Sequence, residues 1–235
     1  YYKNKIKGGV KFNILKDDIN KLIKKFKIDR IVLLSSITDP DECLRNKKKS
    51  NLINVEKTKK MISKIKKQNI YFIFFSSEFV FDGKKKNYNE KDKTNPVNEY
   101  GRQKLFVEKY ITRNAKNYAI FRIAKTYSSE LNDRTLISDF ISKIINGNKK
   151  FNVAHDQIFS PLYAGDLSKI LNLFLKRKFT GIYNVCGSEK LSRYQIYNII
   201  RNNLNRKLKK KILITKTKLN NFKYLDKRPL NVSMN

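Results

Sequence analysis

Three side chains pose the chemical question. Ser77 ends the run Tyr71-Phe72-Ile73-Phe74-Phe75-Ser76-Ser77, and Tyr100 and Lys104 stand four residues apart. Five β-prone residues bounded by polar ones read as a buried strand, with hydroxyls at its end. Residues four apart on a helix share one face, so phenol and amine lie together. A tyrosine titrates near ~10, and a positive charge one turn away lowers that value towards neutrality. A serine hydroxyl at a neighbouring strand end can hold a carbonyl or alcohol oxygen. Protonating a carbonyl oxygen completes a reduction only if hydride reaches the carbon, and no side chain delivers hydride. The set therefore points to NADH or NADPH. Tyr-x-x-x-Lys alone is a weak signal. With 13 tyrosines and 53 lysines and arginines, chance also produces it, and an exposed helical pair is the equal alternative.

These groups need elements to position them. Residues 11–15 read as a short strand. Asp17-Asp18 then open an amphipathic helix with Ile19, Leu22, Ile23 and Phe26 on one stripe. Residues 31–34 read as a buried strand ending at Ser35-Ser36. A polar loop follows, in which Asp39, Asp41 and Glu42 are solvated or cap a helix. Helices are expected at 50–68, 98–114, 135–147, 164–176 and 192–204, and strands at 71–75, 118–123, 181–185 and 211–215. Alternating strands and helices, with unbroken apolar strands, predict a parallel sheet covered by helices. No Pro/Gly/Ser-rich linker or internal repeat divides the chain.

Charge limits the partners. Lysine and arginine number 53 against 20 aspartates and glutamates, a net +33 over 235 residues. Such a field attracts polyanions, so nucleic acid has to be weighed. The lysines are spread over almost every segment, which favours a compositional bias and a solvated basic surface. The run Lys207, Lys209-Lys210-Lys211 has neither interleaved aromatics nor a binding motif. Nucleic acid is thus disfavoured, while a phosphate-bearing small substrate is welcomed. No apolar run reaches the ~20 residues of a membrane span. The stretch Tyr1-Tyr2-Lys3-Asn4-Lys5 lacks the apolar core of a secretory signal. Cys43 and Cys186 have no metal-like spacing, so reduced thiols and a cytoplasmic location are expected. His155 is the one histidine, which rules out a His-rich metal site; it reads as a loop residue beside a substrate pocket.

Further segments follow in order. They are Ser76-Ser77-Glu78-Phe79-Val80-Phe81-Asp82-Gly83, Asn87-Tyr88-Asn89-Glu90, and Asn95-Pro96-Val97-Asn98-Glu99-Tyr100-Gly101-Arg102-Gln103-Lys104. Asp156-Gln157 with Ser160-Pro161, Ala164-Gly165-Asp166-Leu167, Gly181-Ile182-Tyr183-Asn184-Val185-Cys186-Gly187 and Arg228-Pro229 complete the series. Together they resemble the extended short-chain dehydrogenase/reductases, and within them the dTDP-4-dehydrorhamnose reductase (RmlD-like) family, over roughly residues 11–235.

The resemblance implies Tyr100 as catalytic acid, Lys104 as its charged and ribose-binding partner, and Ser77 as the triad hydroxyl in place of the usual Thr. It implies a cofactor site of Asn13, Ile14, Ser35, Ser36, Asn54, Tyr100 and Lys104. Glu78, Phe79, Gln157 and Arg228 fall to the substrate, with no metal. Glu78-Phe79 replaces the family's Asp-Tyr, and Asn13 an Asp near the adenine. No Gly-x-x-Gly-x-x-Gly turn, which would seat a pyrophosphate, follows a strand here. The family's first βα unit is therefore expected upstream of Tyr1, in a longer chain. The implied fold is α/β: a Rossmann-type parallel sheet flanked by helices, its first βα unit missing, with a small C-terminal α+β substrate-binding region. Residues 1–130 would form the partial NAD(P)-binding domain. Residues 131–235 would form mainly the substrate region, with returns to the sheet. The implied activity is NAD(P)H-dependent reduction of a keto group on a nucleotide-diphosphate sugar, as in dTDP-rhamnose and cell-surface polysaccharide biosynthesis, with a homodimer open as its assembly. Two other classes stand beside it: a non-catalytic regulatory subunit on the same fold, like the beta subunit of methionine adenosyltransferase, and a polyanion-binding protein.

Overall fold

The apolar runs of the sequence become the strands of one sheet. The computed structural model describes residues 7–131, 133, 135–208 and 211–235. In its first half, α1 (Ile19–Phe26) precedes β1 (Arg30–Leu33). Next come α2 (Pro40–Arg45), α3 (Lys47–Asn51), a π-wound turn (Leu52–Lys57) and α4 (Thr58–Lys67). β2 (Tyr71–Ser77) runs into a single tight turn, Glu78–Val80, and α5 (Glu99–Asn114) leads to β3 (Tyr118–Ile123). The second half contains β4 (Thr126–Tyr127), α6 (Leu136–Ile145), β5 (Lys150–Ala154), β6 (Ile158–Phe159), β7 (Leu162–Tyr163) and α7 (Ala164–Arg177). It continues with β8 (Gly181–Val185), β9 (Leu191–Ser192), α8 (Arg193–Leu208) and β10 (Leu213–Thr217).

The main sheet has the order β1-β2-β3-β8 and is parallel throughout. Both its faces are covered, which is why its strands are apolar without alternation. Successive residues of β2 serve opposite faces. Phe72 and Phe74 join Ile62 and Ile65 of α4 and Val107 and Ile111 of α5. Tyr71 and Ile73 join Phe121, Phe140 of α6 and Phe174 of α7 on the other side. Short two-stranded ladders, β5 with β10, β4 with β7 and β6 with β9, build the rest of the second half. β8 returns the chain to the main sheet from that half.

The structure departs from the sequence reading at several places. Residues 11–15 form no strand. The Asn13 side chain accepts from the Leu15 N–H, and the Asn13 N–H donates to the Asp17 carboxylate, so side chains take the backbone groups that a strand would pair. The loop at Asp39 starts a helix, α2, with Asp39 accepting the Glu42 N–H and Pro40 in the first turn. β5, absent from the sequence reading, pairs in parallel with β10. Lys209 and Lys210, from the basic run, lie outside the described residues.

Candidate active site

A cavity of about 650 Å³ opens where the strands of the main sheet end. Leu34 and Ser36 border it beyond β1, Phe75 to Phe79 at the end of β2, and Ile123 to Thr126 beyond β3. These are carboxyl ends of adjacent parallel strands, the place where open α/β sheets bind ligands.

Tyr100 and Lys104 reach this cavity because α5 comes very close to the end of β2. A Cβ on Gly101 would stand 2.1 Å from the Phe79 carbonyl oxygen, so only glycine permits the approach. Asn98 caps the helix, accepting the Gly101 N–H at 2.8 Å. Tyr100 is thereby buried against Phe79, edge to face at 6.2 Å between rings. Burial pushes its phenol above the ordinary tyrosine value, and a hydrogen bond from Ser77 works against that rise. Lys104 donates to the Phe75 carbonyl at 2.8 Å and lies over the Phe74 and Tyr100 rings. Burial pulls its amine down to about 8, against the opposing pull of Cys43 and Glu108. The phenol–hydroxyl pair with an amine one turn on can pass a proton to an oxygen bound beside Ser77.

The other sequence-expected residues divide. Ser36, Glu78, Phe79, Gln157 and Arg228 border the same cavity. Ser35 does not; it is exposed and borders an apolar cleft with Ile14. Asn13 stands apart in its turn, outside the cavity, and Ile14 lies between that cleft and a smaller one against α4. Asn54, on the π-wound turn, is a buried scaffold. Its side chain receives the Ile37 N–H, donates to the Ile37 carbonyl, and binds Gln103 and Ser36. It fixes the loop after β1 to α5 and stays out of the cavity lining. His155 is exposed and outside the cavity, contrary to its expected place beside it.

Arg228 is not a free cation. It pairs with Asp41 at 3.0 Å and packs over Tyr224. Although burial opposes it, the Asp226 N–H and Arg228 hold the Asp41 carboxyl below its ordinary value. Asp41 is thus a fastener of the chain's last segment, not a solvated loop residue. Gln157 is held by Arg193, which donates to its carbonyl oxygen at 2.8 and 3.1 Å. Arg193, Lys125, Asp133, Asp139 and Tyr224 border the cavity and were missed from sequence. Each is an isolated polar residue at an element end, with no spacing to mark it.

Comparison with known proteins agrees with the geometry. Residues 11–235 match the model of the RmlD substrate binding domain. Curated relatives include methionine adenosyltransferase 2 subunit beta of Xenopus tropicalis, 26% identical over 76% of this chain and 55% of that protein. Another is the probable low-salt glycan biosynthesis reductase Agl14 of Haloferax volcanii, 22% identical over 73% of this chain and 58% of that protein. The chain thus spans little more than half the length of these relatives. Among solved structures, a hypothetical dTDP-4-dehydrorhamnose reductase from Sulfolobus tokodaii superposes with a TM-score of 0.85 at 26% identity, covering 100% of this chain and 81% of the other. The Bacillus anthracis dTDP-4-dehydrorhamnose reductase in complex with NADP gives 0.83 at 19% identity, covering 92% and 74%. Its fold, the match across nearly its whole length and the order of its site segments place the chain in the RmlD substrate-binding domain family.

Proposed function

We propose that the protein reduces a keto group on a nucleotide-diphosphate sugar with NADPH or NADH, in the manner of a dTDP-4-dehydrorhamnose reductase. The observation that carries this reading is the Ser77–Tyr100 pair, with Lys104 one turn on, bordering a cavity at the carboxyl ends of three parallel strands. The lining suits a nicotinamide: a small side chain, Ser36, where β1 ends, and an amine and a phenol side by side on α5. Ser36, Tyr100 and Lys104 would hold it, and it supplies the hydride when bound. Ser77 orients the ketone oxygen, and Tyr100 gives it a proton. Lys104 supplies the positive charge that makes the phenol a better acid. Asn13 and Ile14 have no place in this part of the site; any adenine contact from them would have to come from the clefts by α1 and α4. We assign residues 1–130 to the cofactor half and 131–235 mainly to the substrate half, with β8 returning between them.

The test is reduction of dTDP-4-dehydrorhamnose by the full-length protein, followed as loss of NADPH absorbance. Tyr100→Phe is expected to lower kcat by roughly 100- to 10,000-fold with KM little changed. Wild-type protein inert towards 4-keto nucleotide sugars would sink the reading. The similarity to methionine adenosyltransferase 2 subunit beta favours a second one, a partner subunit without turnover. Its mark would be co-purification with a methionine adenosyltransferase catalytic subunit.

A further inference from the structure

Two ionisable side chains in the cavity, a carboxyl and an amine, show no side-chain hydrogen bond to each other. Glu78 follows Ser77 directly, is 3% exposed, and keeps its Oε2 buried with no hydrogen-bond partner. Lys125 sits just beyond β3, where its carbonyl accepts the Leu162 N–H and fixes the loop. Among the described residues its ammonium has no hydrogen bond or ion pair, only the Phe79 ring at 5.9 Å. The two groups nonetheless feel each other. Burial drives Glu78 up, and the Lys125 amine together with a hydrogen bond from the Lys125 backbone N–H works against the rise; burial and Arg193 drive Lys125 down, and Glu78 works against the fall. The other cations of the cavity have partners, Arg228 in Asp41, Arg193 in Gln157 and Lys104 in the Phe75 carbonyl.

A buried polar atom without a hydrogen bond, as Glu78 Oε2 is beside the half-buried Lys125, is costly. The group that repairs it must hydrogen-bond an amine and a carboxyl at once, in whichever protonation state each holds. A hydroxyl does both. Methyl and methylene groups do neither. The pair also stands beside the residue that would hold the reacting oxygen, since Glu78 and Ser77 are neighbours in the chain.

We propose that Lys125 and Glu78 form a clamp for a hydroxyl on the carbon next to the reacting ketone, and that the clamp selects hydroxylated over deoxygenated sugars at that position. The clamp rests on the reductase reading for its substrate. Lys125 is a specificity-determining residue that touches substrate and takes no part in proton transfer.

The experiment compares two ligands on the full-length protein: a dTDP-4-dehydro-6-deoxyhexose and its 3-deoxy counterpart. Binding is measured by calorimetry with NADP+ present, so that no reduction occurs. Wild type is expected to bind the hydroxylated sugar roughly 10- to 100-fold more tightly, as one hydroxyl bonded to charged groups predicts. In Lys125→Met the preference falls below about 3-fold, through weaker binding of the hydroxylated sugar alone. Glu78→Gln keeps the shape of the wall and halves the clamp, so it serves if the Met variant does not fold; its preference also narrows. Equal binding of both sugars by wild type, binding of neither, or a preference unchanged in both variants overturns the clamp. NADPH turnover, run in parallel, separates the two claims. Discrimination without turnover removes the reductase reading and keeps the clamp, while turnover without discrimination does the reverse.

Discussion

Lys104 keeps a charge where its surroundings resist one. Its amine is pulled from 10.5 to about 8 by burial. The unfolded chain therefore holds this proton up to about pH 10.5, and the folded chain gives it up near 8. Between those values the unfolded state binds more protons, so stability rises with pH across the window. Below pH 8 both states are charged and the full cost stands, of order 3 kcal/mol. Urea unfolding of wild type and Lys104→Met, compared from pH 7 to 10, should show wild type gaining on the variant above pH 8. The comparison cancels the buried tyrosines, which shift the other way. A difference that stays flat with pH would refute the assignment. At this scale the sequence was informative where spacing carries geometry, as in the four-residue step from Tyr100 to Lys104. It was silent on Lys125, Arg193 and Asp139, which reach the cavity from separate elements. Asn54 looked like a ligand residue; its contacts with Ile37 and Gln103 make it a support, a role no spacing encodes.

α5 is bolted to the sheet by a buried ion pair. Arg122 of β3 and Glu108 of α5 meet at 2.8 Å, 4% and 2% exposed. Ser76 donates to the same carboxylate, and Arg122 also binds the Glu90 carbonyl and covers the Phe81 ring. Removing one partner strands the other. Arg122→Met is expected to cost roughly 3–5 kcal/mol in chemical denaturation, whereas Arg122→Met with Glu108→Leu recovers most of it. A double variant no better than the single one would show that the pair is replaceable by nothing apolar. The strands β1, β2, β3 and β8 were legible because burial on both faces leaves them unbroken apolar runs. β5 was not, because Lys150 and Asn152 interrupt it and its partner is over fifty residues away. Residues 11–15 carry strand-like composition, but Asn13 and Asp17 close a turn there, a contest between local side chains and the ladder that composition does not decide. The π-wound turn is invisible to a search for helical period, and Asn54, which bonds Gln103 of α5, sits on it.

The molecule as a whole carries +33, and among the described residues five of its ion pairs join partners no more than four apart in sequence, most of them too exposed to offset such a field. Self-repulsion should therefore set its salt response. Raising sodium chloride from about 50 to 500 mM is expected to raise the Tm, because screening shortens from roughly 14 Å to 4 Å. A Tm that falls with salt would place the stabilising balance in surface pairs instead. The family was readable at this scale because its segments recur in order along the chain. The way the last segment closes on the first half was not. Asp226 receives the Glu99 N–H across 127 residues, and the Lys227 carbonyl receives the Asn98 side chain. The Asn231 N–H reaches the Gly83 carbonyl, and the Tyr88 N–H the Ser233 carbonyl. During synthesis Tyr100 leaves the ribosome long before the residues that anchor its helix. α5 thus stays half fastened until those residues have emerged. A chain interrupted between the two would have every proposed catalytic side chain and an unsecured helix start.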